Sequence, residues 1–289
     1  MRTNVIQATT PETITFKKKN IKRSAVEKLS VVIITYNEEK NIGRCIDSVA
    51  PVADEIIVLD SFSADATVQI ARQKGAIVQQ ESFEGYVKQK NKAFRMAAHD
   101  HILSLDADEA LSPRLIESIL EAKKDFRFGA YAMNRCGIYR GKEIRRGLWY
   151  PDRKIRLFDK RIGHCGGLDP HDKIVFEMDI PVHRLQGDLM HYTYDSYEEY
   201  LLRNDQVSST AARSLFEAGR KVFWPKLLLS PAWAFVNGYF LRGGFLDGHA
   251  GWVIALNTAN QCYQKYNKLR MLRQKPIDKL EWRPATSQA

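Results

Sequence analysis

The chain has 289 residues, of which 44% are hydrophobic and 27% are charged, and this globular composition excludes collagen-like, coiled-coil and disordered chains. The formal net charge is +10, but the basic surplus lies in residues 1–28 and 213–289, and the segment between them is slightly acidic. This distribution favours an anionic partner at the two ends over nucleic acid bound along the whole chain.

The four cysteines, Cys45, Cys136, Cys165 and Cys262, are too widely spaced for a zinc cluster and too few for a disulfide scaffold. The first residues lack the apolar run of a signal peptide. The longest uncharged apolar stretch, residues 227–241, is shorter than the roughly 20 residues that a membrane-spanning helix needs. We therefore expect a cytoplasmic protein with free thiols that does not cross a membrane.

The N-terminal half has the pattern of repeated βα units. After a basic, flexible arm at residues 1–28, apolar runs predict strands at Leu29–Thr35, Glu55–Leu59, Ala76–Gln80 and His101–Leu105. Amphipathic segments predict helices at Glu39–Val49, Asp65–Lys74, Tyr86–Ala98 and Pro113–Lys124. Such alternation is typical of a mostly parallel sheet flanked by helices, so the expected fold class is α/β.

The C-terminal half is less regular. Short strands are expected at Gly129–Met133, Lys154–Phe158 and Ile174–Glu177, followed by a helix at Tyr197–Ala218. Residues 222–266 are rich in aromatic side chains that alternate with cations, which suits helices lying in the interface of an anionic membrane. A packed helical subdomain or a dimer interface is the alternative. The expected units are the arm, an α/β domain at 29–220, and a helical appendage and tail at 221–289.

Polar residues follow three of the predicted strands: Thr35, Tyr36, Asn37 and Glu38 after the first, Asp60 after the second, and Asp106 and Asp108 after the fourth. The carboxyl ends of parallel strands meet at one edge of a sheet, where ligands of α/β proteins bind. Tyr36 could stack on a nucleotide base, while Asn37, Glu38 and Asp60 could hydrogen-bond base and ribose. The alternative for Asn37 is a helix cap.

Asp106 and Asp108 form a DxD sequence, which is common by chance but here follows an apolar strand directly. Two carboxylates on such a turn can hold Mg²⁺ or Mn²⁺ together with substrate phosphates. The alternative is a set of capping and solvated acids before Pro113. Neither GxGxxG nor GxxxxGK[ST] occurs, which disfavours dinucleotide binding and P-loop hydrolysis.

Three segments, LSVVIITYNEEKNI, IIVLDSFSADAT and ILSLDADEALSP, resemble family-2 glycosyltransferases of the GT-A fold. Four later ones, YPDRKIRLFDKR, PHDKIV, GDLMHYTY and GGFLDGHAGW, resemble the lipopolysaccharide-core β-glucosyltransferase branch of that family. The resemblance extends from about residue 29 to residue 270, so that residues 29–220 would form the GT-A domain.

The resemblance implies a nucleotide-sugar site. Its residues would be Thr35, Tyr36, Asn37 and Glu38 in the nucleotide pocket, Asp60 at the base, Lys90 near the nucleotide, Asp106 at ribose and diphosphate, and Asp108 on a divalent metal. A late histidine, His191, is a candidate second metal ligand. Arg156, with Arg153, could clamp phosphate, and ordinary surface pairing is the alternative for both.

Asp172 is the expected catalytic base. It occupies the position where the resembled branch often carries glutamate after histidine, and Asp169 in the unusual segment before it is a competing base. Inverting transfer needs one carboxylate to accept the hydroxyl proton of the acceptor and a cation to stabilise the departing diphosphate. A surface acid in a loop is the alternative for Asp172.

The expected activity is inverting transfer of a hexose, glucose from UDP-glucose, onto a lipid-linked saccharide such as a lipopolysaccharide inner core. The expected cofactor is Mg²⁺ or Mn²⁺, and the expected location is the inner face of a bacterial cytoplasmic membrane, in contact with anionic lipid and without nucleic acid. A sugar nucleotidyltransferase is one alternative, although the glycine- and arginine-rich loop that it needs is missing. A non-enzymatic module that binds nucleic acid or membrane is the other.

Overall fold

The computed structural model describes residues 27–168 and 171–274. Three expectations fall outside the described residues: most of the basic N-terminal arm, the competing base Asp169, and the tail from residue 275.

The described chain forms eleven strands and seven α-helices. The strands are β1 (Leu29–Thr35), β2 (Glu55–Asp60), β3 (Ile77–Gln80), β4 (His101–Asp106), β5 (Glu109–Leu111), β6 (Ala130–Tyr139), β7 (Lys142–Ile144), β8 (Asp152–Asp159), β9 (Gly163–Leu168), β10 (His171–Phe176) and β11 (Val182–Tyr194). The helices are α1 (Ile42–Val49), α2 (Thr67–Gln73), α3 (Tyr86–Met96), α4 (Pro113–Ala122), α5 (Tyr197–Glu217), α6 (Trp224–Val236) and α7 (Gly248–Gln274).

The predicted α/β class is confirmed. A nine-stranded sheet in the described chain has the order β3-β2-β1-β4-β8-β6-β11-β5, with β7 paired to β6, while β9 and β10 form a separate hairpin. Strands β1 to β4 are mutually parallel, and β6 and β11 point the same way, so most strands of the sheet share one direction.

The βα units are close to their predicted bounds. Strand β1 matches its prediction because its apolar run is buried on both faces, as in a central parallel strand. Helix α1 begins at Ile42 rather than Glu39 because the backbone N–H groups of Asn41 and Ile42 both donate to the Glu38 carbonyl, which closes a turn first.

Strands β5, β7, β9 and β11 were not predicted from the sequence. Strand β11 has a register shift against β6 between Arg184 and Asp188, which interrupts its alternation of side chains. Gly187 lies in this shift with φ at +91°, and a Cβ there would lie 2.4 Å from the backbone nitrogen of Leu115. The close approach of α4 therefore requires glycine at this point of β11.

Two apolar clusters pack on opposite faces of the sheet. Val31 and Ile33 of β1 face the cluster that includes Ile42 and Ile46 of α1. Val32, between them, faces the cluster formed with α3 and the β9–β10 hairpin. Helix α3 and the hairpin thus lie on the same face of the sheet, and this arrangement determines which of their polar side chains meet.

The C-terminal residues are helical, as expected. Helices α5 and α6 both pack on α7, and a π-helical turn at Asn237–Leu241 and a 3₁₀ turn at Gly244–Asp247 connect α6 to α7. The division of the chain at residue 220 stays a prediction. Within residues 27–168 and 171–274, we find no helix with the length and apolarity needed to cross a bilayer.

Glycines allow the connecting turns to contact α7. A Cβ on Gly251 would lie 1.8 Å from the carbonyl oxygen of Gly244, and one on Gly244 would lie 2.6 Å from that of Gly238. The same segment is tied to the loop after β7 because the Asp247 carboxylate accepts the backbone N–H of Arg146 at 2.9 Å. The GGFLDGHAGW segment therefore anchors the C-terminal helices.

Replacing Gly251 with alanine is expected to lower the free energy of unfolding by about 2–3 kcal/mol, because two backbone segments must separate. Urea unfolding measures this. The control is Gly43→Ala in α1, where a Cβ would meet the flexible end of Lys74 at 3.1 Å and alanine favours the helix. Equal stability of the two variants would contradict the packing role of Gly251.

Candidate active site

The three polar strand tips lie together at one edge of the sheet. Thr35 at the end of β1 is in register with Asp60 of β2, and Ile34 is in register with Asp106 of β4. The sheet pairing thus brings the residues after β1, β2 and β4 together at one edge of the sheet, and we call the space at this edge the cleft.

Asn37 joins the loops that follow β1 and β2. Its backbone has φ at 52°, its N–H donates to Ser63 Oγ at 2.8 Å, and its Oδ1 accepts the N–H of Ala64 at 2.9 Å. The helix-cap alternative for Asn37 is wrong, because Asn41 occupies the N-cap position of α1. Asn37 therefore determines the shape of the cleft at its β1–β2 side.

Asp60 and Thr35 are buried, whereas Tyr36 is exposed at the cleft. The Asp60 carboxylate accepts the N–H of Ser63 and the side-chain amide of Gln80, each at 2.9 Å. Asp60 thus holds the loop after β2 in place. Among the described residues, Thr35 Oγ1 is buried without a hydrogen-bond partner.

Glu38 is an acid of the cleft whose pKa is raised. Burial raises its pKa from 4.5 to about 7, and the nearby Asp108 carboxylate adds to this, against a bond of 2.8 Å from the Asn41 amide that lowers it. At neutral pH, Glu38 therefore exchanges between the acid and the carboxylate.

The pH dependence of stability follows from this shift. The folded protein holds the Glu38 proton more tightly than the unfolded chain between pH 4.5 and about 7. The contribution of Glu38 to stability is therefore largest below pH 4.5 and falls as pH rises to about 7. Melting temperatures of the wild type and Glu38→Gln across this range should diverge as pH rises, with the wild type falling relative to the variant. Parallel curves would contradict the shift.

A chain of alternating charges crosses the floor of the cleft. Successive members are joined by ion pairs at 2.5–3.7 Å, and the order is Asp172, Lys90, Asp106, Arg156, Glu109, Arg135 and Asp152. Glu109 and Arg156 are buried within it, so each needs its partner to offset the loss of hydration.

Asp106 lies at the centre of this chain. Burial alone would raise its pKa, but the charges of Arg156 and Lys90, 2.8 and 3.1 Å away, hold that pKa well below its ordinary value. Burial alone would lower the pKa of the Arg156 guanidinium, but the nearby carboxylates of Glu109 and Asp106 raise it above its ordinary value. Asp106 and Arg156 are therefore both charged at neutral pH. Arg153, three residues earlier, is exposed.

Helix α3 positions Asp172 on β10. Lys90, only 3% exposed, donates to Asp172 Oδ2 at 2.8 Å. Its neighbour Asn91 exchanges two hydrogen bonds with the backbone of Cys165 on β9, at 2.8 and 2.9 Å. Asp172 is thus a partly buried residue of a strand, and the surface-loop alternative is wrong.

Asp108 and His191 meet across the β5–β11 pairing. His191 is in register with Glu109, the Tyr192 N–H donates to the Asp108 carbonyl at 2.9 Å, and His191 Nε2 lies 3.1 Å from Asp108 Oδ2. Asp108 Oδ1 is buried and has no hydrogen-bond partner among the described residues. Within the described ranges, no group of three or more His, Cys, Asp or Glu side chains could hold a metal.

The Thr193 hydroxyl influences which ring nitrogen of His191 carries a proton. The Thr193 hydroxyl lies 3.1 Å from the His191 carbonyl, to which it donates, and 3.2 Å from His191 Nδ1. If its one proton goes to the carbonyl, Nδ1–H donates to Thr193, and the lone pair of Nε2 then faces Asp108 Oδ2 at 3.1 Å, an arrangement that a cation between the two atoms would stabilise. A carboxylate oxygen and an imidazole nitrogen then point toward the same space.

Sequence reasoning did not assign a role to Glu109, Asn91 or Arg135. Glu109 directly follows the DxD sequence, so its position was a usable signal, but its complete burial was not predicted. Asn91 and Arg135 carried no such signal, because a single polar residue in a helix or strand is ordinarily solvated.

Lys90→Met is expected to lower the free energy of unfolding by about 3 kcal/mol, because Asp106 and Asp172 lose their shared cation. Thermal unfolding measures this effect. The matched control is Lys88→Met on the same helix, where the lysine is exposed and pairs with Glu84. Lys90→Met with wild-type stability would show that the ion-pair chain has no such role.

The family model described as glycosyl transferase family 2 matches residues 30–177. The chain belongs to glycosyltransferase family 2. A glycosyltransferase of Rickettsia typhi, described as uncharacterized, is 34% identical over 257 residues, which cover 86% of this chain and 88% of the relative. The lipopolysaccharide core biosynthesis glycosyltransferase LpsC of Rhizobium meliloti is 29% identical, over 82% of this chain and 93% of LpsC.

A solved structure also matches part of this glycosyltransferase. Glucosyl-3-phosphoglycerate synthase of Mycobacterium tuberculosis, in complex with Mn²⁺, UDP and glucosyl-3-phosphoglycerate, is 26% identical over 40% of this chain and 45% of its own, with a TM-score of 0.33.

Family membership confirms that the protein is an enzyme of glycosyl transfer with the GT-A type of α/β fold. It also decides against the two alternatives, the sugar nucleotidyltransferase and the non-enzymatic module. The strand edge with Asp106 and Asp108 lies within the matched residues, while His191 lies beyond them.

Proposed function

We propose that this glycosyltransferase moves glucose from UDP-glucose, with inversion, onto a lipid-linked saccharide such as a lipopolysaccharide inner core. The observation that carries the proposal is the cleft in which Asp108 and His191 face each other beside the Asp106–Lys90–Asp172 chain. The cleft combines a candidate cation site, buried positive charges and the separate carboxylate of Asp172. Inverting transfer from a nucleoside diphosphate sugar requires these groups.

A divalent cation fits the residues at Asp108. The unpartnered Asp108 Oδ1, Asp108 Oδ2 and His191 Nε2 offer oxygen and nitrogen donors, which Mn²⁺ accepts, and Mg²⁺ accepts the oxygens. Because one carboxylate and one imidazole leave coordination positions open, donor phosphates and water would complete the shell. When bound, the cation supplies charge that stabilises the departing diphosphate.

The donor nucleotide would lie on the β1–β2 side of the cleft. Exposed Tyr36 offers a ring for the base, and the loop that Asn37 and Asp60 hold together forms the adjacent wall. Thr35 and Glu38 line the same wall. Lys90 and Arg156, buried beside Asp106, supply the positive potential that attracts a diphosphate.

Asp172 would act as the base. Its carboxylate accepts the proton of the acceptor hydroxyl as that oxygen bonds to the anomeric carbon and the bond to the diphosphate breaks. Inversion follows from this single displacement, and the transition state resembles an oxocarbenium ion, as in glycoside hydrolysis. Lys90 holds Asp172 in position through an ion pair of 2.8 Å.

The acceptor class is supported by the relative LpsC, whose name assigns it to lipopolysaccharide core biosynthesis. A lipid-linked acceptor would place the enzyme on the inner face of the cytoplasmic membrane, as a peripheral protein in contact with anionic lipid.

The test is a panel of nucleotide sugars incubated with the enzyme, Mn²⁺ and a lipopolysaccharide core lacking its outer sugars. We expect UDP release and a new β-linked glucose, detected by proton NMR, with UDP-glucose. An α-linked product would contradict inversion, and turnover only with another nucleotide sugar would contradict the donor.

A further inference from the structure

One surface of the C-terminal helices is apolar and faces solvent. Trp224, Leu229 and Trp233 of α6 are 73%, 67% and 61% exposed, and no residue of α6 is buried. Leu229, Trp233 and Val236 are separated by four and three residues, which keeps them on one face of α6, and Phe240 follows in the π-helical turn. We define the aromatic face as the exposed large apolar side chains of residues 223–246, which are Phe223, Trp224, Leu228, Leu229, Trp233, Val236, Phe240, Leu241, Phe245 and Leu246.

The charged side chains within the segment that forms the aromatic face are positive from residue 218 to residue 246. Arg220, Lys221, Lys226 and Arg242 are exposed, and the sequence contains no Asp or Glu from residue 218 to residue 246. The next acid, Asp247, is buried with its carboxylate on the Arg146 backbone N–H. The aromatic face thus has basic neighbours in the segment that forms it, and no acidic ones.

We propose that the aromatic face docks the enzyme on an anionic lipid bilayer. Tryptophan and phenylalanine rings are stable at headgroup depth, where the apolar body leaves water, and lysine and arginine beside them pair with anionic headgroups. Exposed apolar patches of this kind mark interaction surfaces, because leaving large apolar side chains in contact with water is unfavourable for a protein without a partner. This inference rests on the proposed function, because docking would bring the cleft close to a lipid-linked acceptor in the bilayer.

The cations beside the aromatic face favour an anionic bilayer over a second copy of the chain as the partner of this face. In a two-fold dimer, the same patch meets itself. The cations beside the aromatic face would then approach one another, with no acid in residues 218–246 to pair with them. An anionic bilayer neutralises them instead, because its headgroups pair with lysine and arginine side chains.

The test is sedimentation of the full-length enzyme with vesicles, without donor or acceptor. We expect binding to phosphatidylcholine vesicles containing about one third phosphatidylglycerol to be at least about tenfold tighter than to phosphatidylcholine alone, and to weaken with salt. Trp233→Glu should reduce this binding about tenfold or more. The double variant Lys226→Gln and Arg242→Gln should reduce only the preference for anionic vesicles.

The control is Ile77→Glu, which places the same charge at a position 58% exposed on β3, at the far edge of the sheet. This variant should bind vesicles like the wild type. Absent binding of the wild type, or equal binding of Trp233→Glu and Ile77→Glu, would overturn the proposal. A dimer in light scattering that Trp233→Glu dissociates, without vesicle binding, would also overturn it and assign the face to a second copy.

Calorimetry with UDP-glucose on the same preparations separates the two proposals. Trp233→Glu should bind UDP-glucose as the wild type does, since the aromatic face is not part of the cleft. A wild type that binds vesicles but no nucleotide sugar would contradict the proposed function and leave the docking surface intact.

Discussion

Asp108→Ala is expected to abolish the Mn²⁺-dependent part of UDP-glucose binding, with affinity falling about 100-fold or more. The substitution removes both carboxylate oxygens, including the unpartnered Oδ1, and leaves His191 as the lone protein ligand of the proposed pair. Because the cation would join donor phosphates to the protein, its loss should weaken metal and donor binding together. Calorimetry with UDP-glucose, with and without Mn²⁺, measures the effect.

The matched control is Asp47→Ala on α1, which removes an exposed carboxylate paired with Lys74 at 2.7 Å. Its affinity and metal dependence should equal those of the wild type. An Asp108→Ala enzyme with unchanged Mn²⁺-dependent binding and turnover would remove Asp108, and with it this metal site, from the mechanism.

Asp172→Asn is expected to keep donor binding and to lose glucosyl transfer by about 10²–10⁴-fold, the usual contribution of a general base. Asparagine fills the same space and can still accept a hydrogen bond from Lys90, but it cannot take a proton from the acceptor. The measurement is UDP release under saturating donor, together with calorimetry for donor affinity.

Asp179→Asn serves as the control, because Asp179 is an exposed acid shortly after the same hairpin. It should transfer glucose at the wild-type rate. An active Asp172→Asn enzyme would contradict the role of Asp172 and direct the search to Asp169, whose Asn variant would then be measured in the same assay.

The N-terminal half of the fold was predictable because its signals are local. Strand β1 is an apolar run buried on both faces, and helix α1 has an apolar stripe formed by Ile42, Cys45, Ile46 and Val49. Repetition of this unit implies a parallel sheet, and a parallel sheet implies that the polar tips after β1, β2 and β4 converge. Asp106 and Asp108 could therefore be placed at the site from sequence.

The other side of the site was less predictable because its contacts join distant residues. Lys90 and Asp172 are 82 positions apart, and Asp108 and His191 are 83 apart. In the sequence, Lys90 is one of several cations in an amphipathic helix. Its contact with Asp172 forms because the β9–β10 hairpin packs on α3. His191 reaches Asp108 through the antiparallel β5–β11 pairing, which the irregular pattern of residues 129–190 did not predict.

We propose that the cleft binds a nucleotide sugar through a divalent cation. The most direct measurement is calorimetry of the wild-type enzyme with UDP-glucose, in excess Mn²⁺ and again in EDTA. We predict saturable binding with Mn²⁺ that is at least about tenfold tighter than in EDTA. Equal affinity under both conditions, or no binding of UDP-glucose in either, would contradict the claim.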